Sequence, residues 1–224
     1  MERIYPHPLT GATFARGLRI LSRRDPALSR IVKDCGPPPM WNRRPGFSTL
    51  LHIILEQQVS LASARAAFDR LRAAASPLTP ARFLELDDAQ LKAIGFSRQK
   101  TAYGRHLAQS MMDGHFKLAA LKKMDDATAR EELLKLKGVG PWTADIYLLM
   151  ALRRPDVWPS GDLALAVAVQ RVNRWHTRPT LDEMEEIGVG WRPWRAVAAR
   201  VLWHYYLSDQ TRSVRRPDAS HSGV

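Results

Sequence analysis

Gly138-Val139-Gly140, followed at once by Pro141, sits between two amphipathic runs, and this stretch restricts the chain more than any other. Ala127–Lys135 reads as a helix closing on Leu133, Leu134 and Leu136. Pro141–Ala151 reads as a second helix, with proline at its first position, where a missing N–H costs nothing. Gly138 and Gly140 permit positive φ and close approach of another group to the backbone. The result is a hairpin of about 127–151 whose second helix presents N–H groups at its positive end, an arrangement that suits a phosphate. Trp158-Pro159-Ser160-Gly161 then breaks the helical pattern, and Asp162 opens another helix.

Each feature alone has an ordinary explanation, a tight turn in one case and an aspartate N-cap in the other. Together, at this spacing, they resemble the helix-hairpin-helix DNA glycosylase superfamily, in which a hairpin is followed by a Gly/Pro-rich loop and a catalytic aspartate. The similarity is greatest to its 3-methyladenine DNA glycosylase II branch, and it runs from about Phe47 to Tyr206. The resemblance implies an all-α, two-lobed fold with a cleft between the lobes. It also implies a monofunctional N-glycosyl hydrolase that flips alkylated purines such as 3-methyladenine out of duplex DNA and removes them for base excision repair.

The same resemblance assigns roles residue by residue. Asp162 is the catalytic carboxylate. The main chain of Gly138, Val139, Gly140 and Trp142 holds DNA phosphate. Gln57-Gln58-Val59-Ser60 is similar to a Gln-x-(Val/Ile)-Ser stretch that supplies the side chain filling the gap left by the flipped base, so Gln58, with Gln57 beside it, is the candidate wedge. Trp142 and Trp203 are the candidate base pocket, Trp203 through its spacing from Trp191-Arg192-Pro193-Trp194. Their electron-rich faces suit the positive charge of an alkylated purine. Ile146 stands where the best-known relative has an aromatic, which implies a pocket of different shape. Bifunctional branches carry a lysine nucleophile where this chain has Trp142, and Lys135 and Lys137 are out of register. Family members often bind Na or K through hairpin carbonyls, which by position are those of Leu134, Leu136 and Val139; no other cofactor is implied.

Composition narrows the partner. Lys+Arg of 34 against Asp+Glu of 22 gives a net charge of +12, which calls for a polyanion, either nucleic acid or an anionic membrane surface. No apolar run approaches a membrane span, and Met1–Tyr5 carries no signal-peptide core. The expectation is therefore a monomer on double-stranded DNA with damaged bases, away from membranes, inside the cell (cytoplasm and nucleoid, or nucleus). Cys35 is the single cysteine, so a disulfide framework, a cysteine zinc site and an iron–sulfur cluster are excluded.

The remaining pattern is helical almost throughout. Residues 1–13 read as an irregular arm. Asp25-Pro26 starts a helix that Gly36-Pro37-Pro38-Pro39 ends, and Asn42–Gly46 is a basic loop. Leu50, Leu51, Ile54 and Leu55 form one apolar stripe, and Ser60 caps the next helix. Arg98, Lys100 and Arg105 read as a solvated basic face. Trp194, Val197, Ala198, Val201, Leu202 and Tyr205 form the core face of a last helix over 192–207. Residues 45–155 make one lobe, 1–44 plus 156–224 the other, and 209–224 a disordered tail. A non-catalytic helix-hairpin-helix DNA-binding module accounts for the charge and the hairpin but not for Asp162 and the tryptophans. A bifunctional lyase for oxidised bases conflicts with Trp142.

Overall fold

A computed structural model describes residues 7–214, with side chains through Asp209. Among the described residues there are twelve α-helices and no strand. They are α1 Gly11–Arg24, α2 Pro26–Cys35, α3 Phe47–Glu56, α4 Leu61–Ala74, α5 Pro80–Glu85 and α6 Asp88–Ile94, then α7 Arg98–Met112, α8 Asp126–Leu134 and α9 Pro141–Ile146, and finally α10 Leu163–Asn173, α11 Leu181–Val189 and α12 Arg195–Val214. A 3₁₀ turn, Leu118–Lys123, precedes α8, and one π turn, Tyr147–Ala151, continues α9. None of these helices is long and apolar enough to cross a membrane. The all-α class follows from the local chemistry. Nine of the helices start behind a Ser, Thr or Asp side chain that accepts an N–H three residues on, for example Thr10, Ser60, Thr79, Ser97 and Asp125.

The chain forms two compact units. The first is built on Asn42–Arg154, with Pro8 joining it. Its centre is α3, with Leu50, Leu51, Ile53 and Ile54 fully buried. α4, α7 and α9 pack on α3, and Phe83 stands edge-on to Phe47 at 5.9 Å. Gly104 lets α7 lie against Phe83, since a Cβ there would sit 2.6 Å from Cζ. Arg43 makes a two-point pair with the buried Glu56, at 2.9 and 2.8 Å, and donates its main-chain N–H to Met150 O. These bonds tie the basic loop to this unit, so the division falls after Trp41 and after Arg154.

The second unit is built on Leu9–Trp41 and the chain from Pro155 onward. Here α12 is central and packs on α1, α2 and α10. Its Ala196–Leu202 stretch is buried throughout, including Arg200, which donates to Met40 O and Ala196 O at 2.8 Å each. Burial pushes the Arg200 guanidinium down to about 10.

Several elements differ from expectation. The N-terminal arm ends sooner, because Thr10 and Thr13 form a reciprocal cap that starts α1 at Gly11. The run expected as one helix over 141–151 is α-helical for six residues and then widens into the π turn. The tail is corrected for Asp209–Val214, which continue α12. Each added residue gains a backbone hydrogen bond, and Asp209 accepts from Arg171 of α10 at 2.7 Å. The rest of that tail lies outside the described residues.

Candidate functional site

The hairpin lies in the first unit. Asp125 caps α8 through Thr128, and Arg130 of α8 pairs with the buried Asp145 at 2.7 Å, clamping the two helices together. The turn between them closes when Val139 N–H donates to Leu136 O at 3.0 Å. Gly138 is required twice over. Its φ is +87, and a Cβ there would lie 2.1 Å from Cγ of Tyr103. Gly140 precedes Pro141 as the N-cap of α9, and a Cβ there would meet nothing within 4 Å, so its face is open to a close neighbour.

This turn corrects one part of the sequence reading. The Val139 amide is committed within the turn and is not an outward donor. The candidates for a phosphate contact are therefore narrowed to Gly138, Gly140 and Trp142. The Leu136 carbonyl, one of three expected to hold a cation with those of Leu134 and Val139, keeps one lone pair beyond the bond from Val139.

The two adjacent glutamines separate cleanly. Gln57 is half-buried, and its Nε2 donates to Gly138 O and to Thr143 Oγ1, each at 2.8 Å. It is a strut between the end of α3 and the hairpin, so the structure removes it as a wedge. Gln58 is exposed and held at φ +55, in the left-handed region that glutamine seldom occupies. Both line a hollow of about 400 Å³ with Gln99, Lys100, Tyr103 and Gly138–Gly140. Thus the wedge and phosphate candidates share one surface.

Tyr103 and Thr143 were not singled out by sequence. Tyr103 is the floor of the glycine turn and accepts from Gln99 Nε2 at 2.6 Å. The only local signal is that Gln99 and Tyr103 stand one turn apart on α7. Two cations of the expected solvated face are structural instead. Lys100 donates to Leu55 O at 2.6 Å, capping α3, and burial pushes its ammonium below the usual lysine range. Arg105 reaches Leu86 O and Asp88.

Asp162 lies in the second unit as the N-cap of α10 and is 8% exposed. Its Oδ1 accepts from Leu165 N–H at 2.9 Å and from the indole N–H of Trp203, on α12, at 3.1 Å. The loop before it is tied down by hydrogen bonds. Asp162 N–H donates to Pro159 O, Ser160 Oγ to Glu185, and Trp158 Nε1 to Met184 O. Gly188 makes room for Trp158, because a Cβ there would lie 2.7 Å from its ring. A hollow of about 420 Å³ opens beside Asp162 between Ser160–Leu163, Ala166 and Arg178–Leu181. Trp203 is thereby joined to Asp162 by its N–H edge, a contact that spacing alone does not reveal. Trp142, half-buried in the first turn of α9, belongs to the other unit.

Residues 51–193 match the family described as HhH-GPD superfamily base excision DNA repair protein. The chain belongs to this superfamily. Among its relatives, a DNA-3-methyladenine glycosylase of Bacillus subtilis is 33% identical over 122 residues, which are 54% of this chain and 40% of that one. DNA-3-methyladenine glycosylase 1 of Schizosaccharomyces pombe is 28% identical over 206 residues, 87% of this chain and 89% of that one. A solved S. pombe 3-methyladenine DNA glycosylase in complex with abasic DNA has the same fold, with a TM-score of 0.77 at 26% identity, covering 84% of this chain and 95% of that one. The chain thus spans less than two thirds of the B. subtilis relative and most of the S. pombe one. The hairpin and Asp162 both fall inside the part that the HhH-GPD family matches.

Proposed function

We propose that this HhH-GPD protein is a monofunctional DNA glycosylase that flips alkylated purines such as 3-methyladenine from duplex DNA and hydrolyses the N-glycosidic bond, the first step of base excision repair. The observation that carries this reading is the fixed Asp162 carboxylate, held by two N–H donors at a helix N-terminus in a chain of this family. The named activities of the B. subtilis and S. pombe relatives support the substrate class.

The chemistry asks little of the protein beyond a placed charge. The C1′–N bond breaks with its electron pair going to the purine, which alkylation has already made cationic, so the base leaves neutral. The sugar becomes oxocarbenium-like, and a carboxylate stabilises that charge more than it stabilises the ground state. Water then adds at C1′ and gives up its proton, with Asp162 as the acceptor. Donors aimed at Asp162 before reaction leave little reorganisation to the transition state. Trp142 occupies the hairpin position where a lyase needs an amine, and an indole forms no Schiff base.

The hairpin supplies position. The open face at Gly140 and the positive end of α9 suit a DNA phosphate, with the main chain of Gly138 and Trp142 beside it. Gln58, exposed and backbone-strained next to that surface, takes the wedge role. A Na or K ion held by the carbonyls of Leu134, Leu136 and Val139 would add positive charge behind the turn; no other cofactor enters the reading.

The test is incubation with methylated duplex DNA, with chromatography of free bases and electrophoresis of the strands. Released 3-methyladenine with intact abasic strands is expected. Strand nicking with a borohydride-trapped adduct would mean a lyase, and tight binding without release would mean a DNA-binding module.

A further inference from the structure

At the end of the hairpin away from the glycine turn, five cations surround a hollow of about 460 Å³ in the first unit. Arg43 and Arg44 come from the basic loop, Lys122 from the 3₁₀ turn, and Arg153 and Arg154 from the segment after the π turn. No carboxylate lines this hollow. Two of the five are committed elsewhere. Arg43 is paired with Glu56, and the buried Arg154 donates to Leu121 O and Met124 O and stands 3.4 Å from Asp126. Arg44, Lys122 and Arg153 take part in none of the ion pairs among the described residues. Arg153 is held at φ +57 where the π turn ends, with Arg154 N–H donating back to Leu148 O at 3.0 Å, so the helix end itself fixes its backbone beside the hollow.

Like charges gather around a cavity at an electrostatic cost that an anion would relieve. We infer that Arg44, Lys122 and Arg153 form a second phosphate-binding site, which takes backbone phosphates of DNA at a point separate from the glycine turn. The nine residues of α8 put the two sites about 14 Å apart along the hairpin. Three long cationic side chains suit a charge-driven contact and do not specify a small ligand. The site therefore adds affinity without reading sequence. This inference rests on DNA being the substrate, as proposed above, but it is measured on undamaged DNA and needs no catalysis.

The experiment measures the dissociation constant for an undamaged 20–30-base-pair duplex between 50 and 200 mM salt, on the order of conditions where counterion release dominates. It compares the wild type with the triple variant Arg44→Gln, Lys122→Gln, Arg153→Gln and with a control triple, Arg16→Gln, Arg19→Gln, Arg23→Gln, on the exposed face of α1. Each phosphate contact contributes about 0.9 to the salt slope, so three lost contacts flatten it by about 2.7. Over this salt range the wild-type affinity then falls about forty-fold more than that of the hollow variant. An equal flattening in the control triple means net charge alone and overturns the inference, as does an unchanged slope in the hollow variant. The double variant Arg44→Gln, Lys122→Gln, which leaves the strained Arg153 in place, should flatten the slope by about 1.8 and guards against misfolding of the triple. Pyrophosphate supplies the arm for a small ligand. If it raises the melting temperature of the wild type but not of the hollow variant, while the slopes stay equal, the site belongs to a free phosphate compound and not to DNA. Release of 3-methyladenine by the wild type, assayed separately, shows whether the glycosylase reading itself stands.

Discussion

The indole N–H of Trp203 donates to Oδ1 of Asp162 at 3.1 Å, across 41 residues of sequence. A hydrogen bond to a charged group is worth about 1.5–3 kcal/mol, and here it fixes the carboxylate that the proposed chemistry depends on. On the proposed reading Trp203 is thus a positioning residue, whatever its ring face also touches.

Trp203→Phe separates the two roles, because it keeps an aromatic face and removes the donor. Single-turnover release of 3-methyladenine should slow by about tenfold or more, the equivalent of losing one charge-assisted bond. Affinity for abasic duplex should change little. If stacking were the whole role of Trp203, the phenylalanine variant would release base at close to the wild-type rate and only Trp203→Ala would be impaired.

The two glutamines should respond in opposite ways. Gln57→Ala removes both hydrogen bonds to the hairpin and leaves Gly138 O and Thr143 Oγ1 without that partner. A stability loss of about 1–3 kcal/mol is expected in chemical denaturation. Gln58→Ala should leave stability within about 0.5 kcal/mol, since its side chain is exposed. Its effect should be weaker binding to abasic duplex. Equal stability losses for the two variants would undo this division of labour.

What could be read from the chain alone was local. Gly138 before Gly140-Pro141 announces a turn because only certain residues tolerate it, and Asp162 after a Gly/Pro break announces a cap. Both features are settled by neighbours a few residues away. The bonds that give those elements their chemistry are not local: Gln57 reaches residues 81 and 86 positions on, and Trp203 reaches back 41. No periodicity encodes a partner at such a distance. The same limit hid the Tyr103 ring under Gly138, where an ordinary polar-face tyrosine of α7 proves to be what excludes a Cβ. It also made Lys100 and Arg105 look solvated, since the carbonyls they cap belong to other helices.

His52 predicts a pH dependence of stability. Its ring stacks on Phe68 at 4.0 Å, and its Nε2 is buried without a hydrogen-bond partner, 3.6 Å from Glu56. Burial pushes the imidazole below its ordinary 6.5; Glu56 and Asp69 pull it back up, and Arg43 and Arg65 push it further down. The unfolded chain therefore takes up a proton at a higher pH than the folded one. Its contribution is intact above 6.5 and is lost as the pH falls below that value toward the folded pKa. The melting temperature of the wild type should drop between about pH 7.5 and about pH 5.5, and that of His52→Gln should drop less. Parallel drops would assign the acid sensitivity to other groups.

Asp162→Asn is the decisive substitution. The asparagine carbonyl can accept from Leu165 N–H and Trp203 Nε1–H as Oδ1 now does, and Asn caps helices about as well as Asp. Folding and DNA binding should therefore stay near normal, and the melting temperature should move by no more than a few degrees. The substitution removes the negative charge and turns the second oxygen into an N–H donor. With the charge goes the stabilisation of the oxocarbenium-like sugar and the acceptor for the water proton, which should slow single-turnover base release by at least about a hundredfold, the scale of removing one preorganised electrostatic group. A residue that serves only as a cap predicts the opposite pattern, with activity retained and stability unchanged. Base release by the Asn variant within a few-fold of wild type would therefore place the chemistry on another residue, and the Trp203–Asp162 bond would then be part of the fold alone.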